Sequence, residues 1–287
     1  MQKYPCSCII SIMNNESNRK FDETVGLIAG NGLLPVEFVL NAKNLGIKNI
    51  IAVGFKNTTA DDVKNNVAVF EEIGVGQLGK MIKIFKNNGV KKALMLGGLA
   101  PKLTISNIKF DFRMVILAAK TRDRRADSVL GAIADEMAKD GIVLDDTTAY
   151  LPHLLAQDGV LTKRKPSKKE WEDIYFGKKI ARASGNLDIG QTAVVKKHAV
   201  VAVEAMEGTD KCIQRAGDLV SEFVVVKVAK PSQDLRFDVP CIGPDTIKNI
   251  ARAKGAILAI EAGKTFLLKK EETISLANDN NISIIGI

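Results

Sequence analysis

The chain has 287 residues, 46% hydrophobic and 26% charged, which fits a folded protein of about two domains and excludes disorder throughout. Lysine and arginine number 41 against 33 aspartate and glutamate, a net charge of +8, and that balance favours anionic partners such as phosphates or a membrane face. One Trp and three Tyr are too few for a base-stacking platform, so no nucleic acid is expected, while four cysteines and two histidines exclude a disulfide scaffold and a three-histidine metal centre and fit a reduced, cytoplasmic compartment.

No apolar run reaches the roughly 20 residues of a membrane-spanning helix. Residues 1–23, an apolar start followed by the polar run NNESNRKFDE, read as a poorly ordered extension. A strand over 25–29 ends in Gly30-Asn31-Gly32, and Leu34, Phe38 and Leu45 give 33–44 a helical stripe. Strands follow at 49–53 and 67–70. Leu78, Met81, Ile82 and Phe85 predict an amphipathic helix over 77–88. A strand over 92–96 ends in Gly97-Gly98, then come helices near 108–120 and 127–139 and a short strand at 142–144. This alternation predicts βαβ units and a parallel sheet, a Rossmann-like α/β domain over 24–157.

The basic run TKRKPSKK (162–169) reads as an exposed loop near a domain boundary. Beyond it, a helix is expected at 171–184 and β-rich runs at 191–196, 199–205, 222–228, 256–260 and 282–286. Helices at 210–220, 245–253 and 271–280 lie between them. Residues 158–287 therefore read as a mixed α/β domain.

Glycines at Gly30 and Gly32, flanking Asn31 between a strand and a helix, permit positive φ and close backbone approach, and a helix N-terminus attracts anions. The dinucleotide fingerprint is incomplete: Pro35 stands where a third glycine belongs, and the second strand ends in Val53-Gly54-Phe55-Lys56 without an acid for the ribose. Gly76-Gln77-Leu78-Gly79 and Gly97-Gly98 add two more glycine turns. Each alone suits any short βα loop; together they outline a ligand crevice at the carboxyl edge of the sheet.

In the second half, an extended 230–240 segment would put Asp234, Arg236 and Asp238 on one face and Leu235, Phe237 and Val239 on the other. The acids could hold Mg²⁺ or orient a water, and Arg236 could clamp a phosphate; the plain alternative is a solvated edge strand between prolines. In Glu207-Gly208-Thr209-Asp210, either Thr209 or Asp210 caps the following helix, or the helix start binds an anion with Glu207 or Asp210 near a metal. Gly263-Lys264-Thr265 is no P-loop, because Leu258 occupies the position of its first glycine. Lys264 then meets either a phosphate or solvent. His198 has no acid and Ser or Cys partner in the pattern of a nucleophilic triad.

Several strings match one family in order: GLIAGNGLLP (26–35), GQLGKMIKIFK (76–86), GGLAPK (97–102), GVLTKRKPS (159–167), LDIGQTAVV (187–195), AVEAMEGTD (202–210), AKPSQDLRFDVPCIGPDT (229–246) and EAGKTFLL (261–268). On these the chain resembles the LpxI type of UDP-2,3-diacylglucosamine pyrophosphatase, a lipid A pathway family of Gram-negative bacteria. The resemblance implies Mg²⁺-dependent hydrolysis of UDP-2,3-diacylglucosamine to UMP and 2,3-diacylglucosamine 1-phosphate, with water attacking the sugar-side phosphorus. It carries the essential catalytic acid onto Asp234, with Asp238 as the other assignment and Arg236 between them. The substrate-binding set within these strings is Gly30, Asn31, Gly32, Gln77, Gly79, Gly97, Gly98, Gln191, Thr209, Gln233 and Lys264. The metal set is Asp234, Asp238 and Asp210. The chain departs from the family at Arg125-Ala126-Asp127, where Gly-Asp-Asp is usual, leaving Asp127 to inherit any role of those acids.

The implied partner is a lipid-linked UDP-sugar, with peripheral contact at the cytoplasmic face of the inner membrane; a homodimer follows only from the frequency of such enzymes. Two other classes stand beside this reading, a nucleotide-sugar oxidoreductase and a non-enzymatic nucleotide- or phospholipid-binding regulator. The missing glycine and ribose acid count against the first.

Overall fold

The computed structural model of the protein describes residues 21–98, 110–121, 126–230 and 233–287. Its contacts divide the chain into two compact units between Asp145 and Asp146, and residues 146–157 are bonded into the second. The amide and hydroxyl of Thr147 both donate to the Leu235 carbonyl, at 3.3 and 2.8 Å, and the Ala156 amide donates to Thr265 at 2.9 Å.

The first unit is built on five strands, β1 (Thr24–Ala29), β2 (Asn49–Phe55), β3 (Val69–Ile73), β4 (Lys92–Leu96) and β5 (Val143–Leu144), all parallel in the order β3-β2-β1-β4-β5. In β1 all residues after Thr24 are buried, as expected of a central parallel strand covered on both faces. The strand order reverses between β1 and β4, and ligands of open α/β sheets bind at such a switch point. The helices are α1 (Leu34–Asn41), α2 (Asp61–Asn65), α3 (Leu78–Asn87), α4 (Phe112–Lys120) and α5 (Ala126–Lys139). Pro35 sits in the first turn of α1, where its missing N–H costs nothing. Leu78, Met81, Ile82 and Phe85 are the buried stripe of α3. The expected extension at 1–23 falls outside the described residues up to residue 20. Glu23 belongs to the sheet edge, its carbonyl accepting from the Lys48 and Asn49 amides at 2.9 Å each.

The second unit holds a six-stranded sheet in the order β6-β13-β11-β9-β7-β8, formed by β6 (Gly159–Val160), β7 (Thr192–Lys196), β8 (Ala199–Val203), β9 (Val224–Lys227), β11 (Ile257–Ile260) and β13 (Ser283–Gly286). A separate parallel pair joins β10 (Cys241–Ile242) to β12 (Phe266–Leu267). Strands β9, β11 and β13 are parallel; β6 and β7 run against them. One face is covered by α6 (Lys168–Asn186), which buries Ile174 and Ala181 against Val195, Val224, Val226 and Ile257. The other carries α7 (Thr209–Gly217), α8 (Pro244–Arg252) and α9 (Lys270–Asp279), which bury Ile213, Ile247, Ile250 and Ala277 with Val194, Val225 and Leu258. The sequence reading of mixed α/β halves therefore holds, with the first sheet parallel and the second mixed. Among the described residues no helix is long and apolar enough to cross a membrane.

The 230–240 segment departs from the expected extended strand. The amides of Phe237 and Asp238 both donate to the Asp234 carbonyl, at 3.2 and 3.0 Å. The chain turns helically there, so the alternating-face argument for Asp234, Arg236 and Asp238 fails. Neither Thr209 nor Asp210 caps α7: the cap position is Gly208, at φ 82°, and no side chain accepts from the helix amides.

Candidate functional site

In the second unit, the carboxyl ends of β8, β9 and β11 and the start of β7 lie at one edge of the sheet, because β8 runs with β9 while β7 opposes both. The residues that leave these strands, Gln191, Glu204, Lys227, Ala229 and Glu261, gather there with the amino end of α7. A polar pocket of about 300 Å³ opens at this edge, lined by Glu207, Gly208, Thr209, Asp210, Lys227, Cys241 and Thr246.

A chain of hydrogen bonds backs the pocket. The Lys227 ammonium donates to the Thr209 hydroxyl at 3.1 Å, and that hydroxyl donates to Glu204 Oε1 at 2.9 Å. Lys227 and Glu204 are each only 9% exposed, and Glu204 Oε2 has no hydrogen-bond partner among the described residues. Glu207 is neutralised by Arg215 at 2.6 Å, which holds its carboxyl below the usual range. Burial pushes the Cys241 thiol up to about 11, with Lys227 pulling it down and Asp238 adding to the rise. Cys241 follows the 234–238 turn by three residues, so the chain carries the end of that turn to the pocket wall. A thiol so far above neutrality is no nucleophile.

The turn holds a polar network. The Lys230 amide donates to Gln233 Oε1 at 2.7 Å, and Gln233 Nε2 donates to Asp238 Oδ2 at 2.7 Å. Arg236 binds Asp234 through Nε, 2.9 and 3.0 Å from its two carboxylate oxygens, and through Nη2 at 2.5 Å. The hydrogen bonds from Arg236 lower the Asp234 carboxyl below the usual aspartate range, against the opposing effect of burial. Asp234 is thus ionised at neutral pH.

Of the other predicted residues in this unit, Thr209 and Asp210 line the pocket and Gln233 belongs to the turn. Gln191 sits at the same edge, its Oε1 buried without a partner among the described residues. Lys264 is bound to Glu261 at 3.2 Å, and Glu261 also accepts from Arg182 at 3.2 Å and from the Ala229 amide at 3.0 Å.

In the first unit, the glycine turns after β1 and β4 adjoin. The Asn31 amide donates to Gly98 at 2.7 Å, and the Gly98 amide donates to the Asn31 side chain at 3.1 Å. Gly97 has φ 80°, and a Cβ on it would stand 2.1 Å from the Asn31 carbonyl oxygen. Gly30 and Gly97 are therefore needed for the two loops to touch, while Gly32 faces open space. The third turn is already filled. Asp111 Oδ2 accepts from the Gly79 and Lys80 amides at 2.6 and 3.3 Å, and Oδ1 caps α4 through Met114 at 3.0 Å. Gln77 turns back on the Gly74 amide at 2.8 Å. The Asp127 side chain lies outside the described residues.

Among the described residues no group of three or more His, Cys, Asp or Glu side chains is arranged to hold a metal, so Asp210, Asp234 and Asp238 do not form a cage by themselves. Magnesium rarely needs one: it keeps several waters and takes one or two carboxylates together with substrate phosphates. Asp210 is exposed at the pocket, while Asp234 is engaged by Arg236 and Asp238 by Gln233.

Lys227, Glu204 and Thr246 are absent from the sequence-based candidates. Lys227 closes the strand VVVK, in which every residue is buried; a lysine ending such a strand was the available signal.

Two family models match: the LpxI N-terminal domain over residues 24–154 and the LpxI C-terminal domain over 157–285. The chain is also 32% identical over 278 residues to the UDP-2,3-diacylglucosamine pyrophosphatase LpxI of Caulobacter vibrioides, covering 92% of this chain and 97% of that protein. With both halves matched in order, and with QDLRFD forming the turn that leads to the pocket wall, the chain belongs to the LpxI family.

Proposed function

We propose that this chain hydrolyses the diphosphate bond of UDP-2,3-diacylglucosamine in lipid A synthesis, releasing UMP and 2,3-diacylglucosamine 1-phosphate. The observation that carries the reading is the match of both family models, joined to a polar pocket whose wall includes Cys241, three residues after Asp238. Hydrolysis adds water across a P–O–P linkage, so the site must align the water and neutralise negative charge on the phosphoryl oxygens.

Asp234 supplies a fixed negative charge. Held ionised by Arg236, it is a poor proton acceptor at neutral pH, so its part is to orient the attacking water through its oxygens. Gln233 holds Asp238, which keeps a second carboxylate within the same turn. Magnesium, when bound, would neutralise the diphosphate oxygens and lower the pKa of a bound water, and Asp210, Asp234 and Asp238 are the acids that would hold it. A lipid substrate brings the enzyme to the cytoplasmic face of the inner membrane.

The test is incubation with UDP-2,3-diacylglucosamine and Mg²⁺, followed by assay of UMP. Release that stops on adding EDTA is the expected result. Binding without any UMP would replace the hydrolase with a nucleotide–lipid regulator, and UMP released at full rate in EDTA would remove the metal.

A further inference from the structure

Lys227 is unusual for its place in the fold. It shares a strand face with Val225, which packs in the core under α7 and α8. A methionine there would bury as much surface without desolvating a charge. The lysine is nine-tenths buried, yet no carboxylate lies within ion-pair distance among the described residues, and its ammonium contacts a single neutral hydroxyl, Thr209. That hydroxyl spends its own proton on Glu204 Oε1. Among the described residues, one of the three ammonium hydrogens is used. A buried cation left unpaired is costly, and the two remaining hydrogens belong to a group that lines the pocket.

A second feature meets it there. The amino end of α7, a nine-residue helix, opens into the same pocket through Gly208, and no side chain caps it. Uncapped helix amides and the helix dipole both favour an anion. Of the adjacent acids, Glu207 is already paired with Arg215, Asp210 is exposed, where solvent screens it, and the buried Glu204 meets the ammonium only through the Thr209 hydroxyl.

We propose that Lys227 and the open amino end of α7 form a phosphate subsite, in which a phosphoryl oxygen accepts from the free Lys227 hydrogens and from the first α7 amides. This deepens the reading given above and rests on it only for the identity of the phosphate, which belongs either to the uridine side or to the sugar side of the diphosphate. Thr209 and Glu204 are positioning residues: the Thr209 hydroxyl takes up the third ammonium hydrogen, and Glu204 fixes that hydroxyl by accepting its proton.

The test measures binding, not turnover, by calorimetry on the full chain with three probes: UMP, glucosamine 1-phosphate and inorganic phosphate, each against uridine. The wild type is expected to bind at least one phosphate probe. Lys227→Met is expected to weaken that probe by about tenfold or more, the loss of a charge-assisted hydrogen bond, and to leave uridine unchanged. Lys227→Arg should recover part of the loss. Dependence of UMP alone assigns the subsite to the uridine side, and of glucosamine 1-phosphate alone to the sugar side. Equal affinity of Lys227→Met and wild type for every probe overturns the proposal, as does a wild type that binds none. Should Lys227→Met not fold, the amide resonances of Gly208, Thr209 and Asp210 in the wild type serve instead: they must shift as phosphate is added, and unmoved resonances overturn it. A chain that binds phosphate yet releases no UMP keeps this subsite and loses the hydrolase reading.

Discussion

Asp234 and Arg236 are bound by four hydrogen bonds within one turn of chain: three from the guanidinium, at 2.5 to 3.0 Å, and one from the Arg236 amide to Oδ1 at 3.0 Å. A fork held this way is fixed in direction as well as charge. Replacing Asp234 by Asn keeps the shape but removes the charge that Arg236 faces. The expected outcome is a fall in kcat of roughly a hundredfold or more, the scale of losing a transition-state electrostatic group, with KM changed much less. Steady-state kinetics on the UDP-lipid decide; a normal kcat would move the essential acid to Asp238 or Asp210.

The pH profile follows from the same pair. Arg236 lowers the Asp234 carboxyl below its usual value of 3.8, so Asp234 stays ionised throughout the working range. The acid limb of kcat/KM should therefore lie below about pH 5 insofar as it reports Asp234. A limb near pH 6 that disappears in Asp234→Asn would show a carboxyl raised rather than lowered, and would contradict the role given to it.

Much of this architecture was legible in residue spacing. The stripe Leu78, Met81, Ile82 and Phe85 is the buried side of α3, and the glycine turns after β1 and β4 adjoin at the switch point. What periodicity missed was decided by tertiary bonds. The 234–238 turn has an alternating pattern, yet the Asp234 carbonyl takes two local amides instead of a strand partner. The Gly79 amides suit a phosphate by their glycine, but Asp111, 32 residues on, reaches them first. Lys227 was hidden because a strand-ending lysine normally points to solvent, and only the packing of α7 over it reveals its burial.

The β7–β8 hairpin depends on an acid from another element. Its two turn residues, Lys197 and His198, have φ of 48° and 59°, a conformation that costs non-glycine residues about 1–2 kcal/mol each. Asp173 on α6 is buried and accepts from both of their amides, at 2.8 and 2.7 Å. Asp173→Ala should lower unfolding free energy by about 2–3 kcal/mol, read as a shift in the urea midpoint at constant slope. Turnover should be unchanged, since this turn is at the opposite end of β7 from the pocket. Equal midpoints would mean that the turn holds itself.

Two helix glycines should respond in opposite directions to alanine. Gly177 packs α6 on the sheet, and a Cβ there would lie 2.6 Å from Val226 Cγ2 and 3.1 Å from Val195 Cγ2. Overpacking of this kind costs about 1–3 kcal/mol, more than the gain of up to about 1 kcal/mol in helix propensity. Gly131 in α5 has nothing within 4 Å of that position, so Gly131→Ala should stabilise by about 0.5–1 kcal/mol. Thermal or urea unfolding of the two variants checks both signs, and stabilisation by Gly177→Ala would show that α6 has room to lift.

Glu261 ties the ends of β9 and β11 together, and its titration sets an acid limit on the second unit. Burial raises its carboxyl, but the Ala229 amide and the Lys264 and Arg182 cations outweigh burial and bring it below the usual 4.5. A carboxyl lowered by folding contributes stability in full above its unfolded value. That contribution is lost as pH falls through the lowered folded value. The second unit should therefore hold constant stability on this account down to about pH 5 and lose it progressively below 4.5. Glu261→Gln should be less stable at neutral pH and show a shallower decline in acid, because the titrating group is gone while its neighbours remain. Urea midpoints measured from pH 7 to pH 3 separate the cases: parallel curves for variant and wild type would mean that Glu261 does not govern the acid limb.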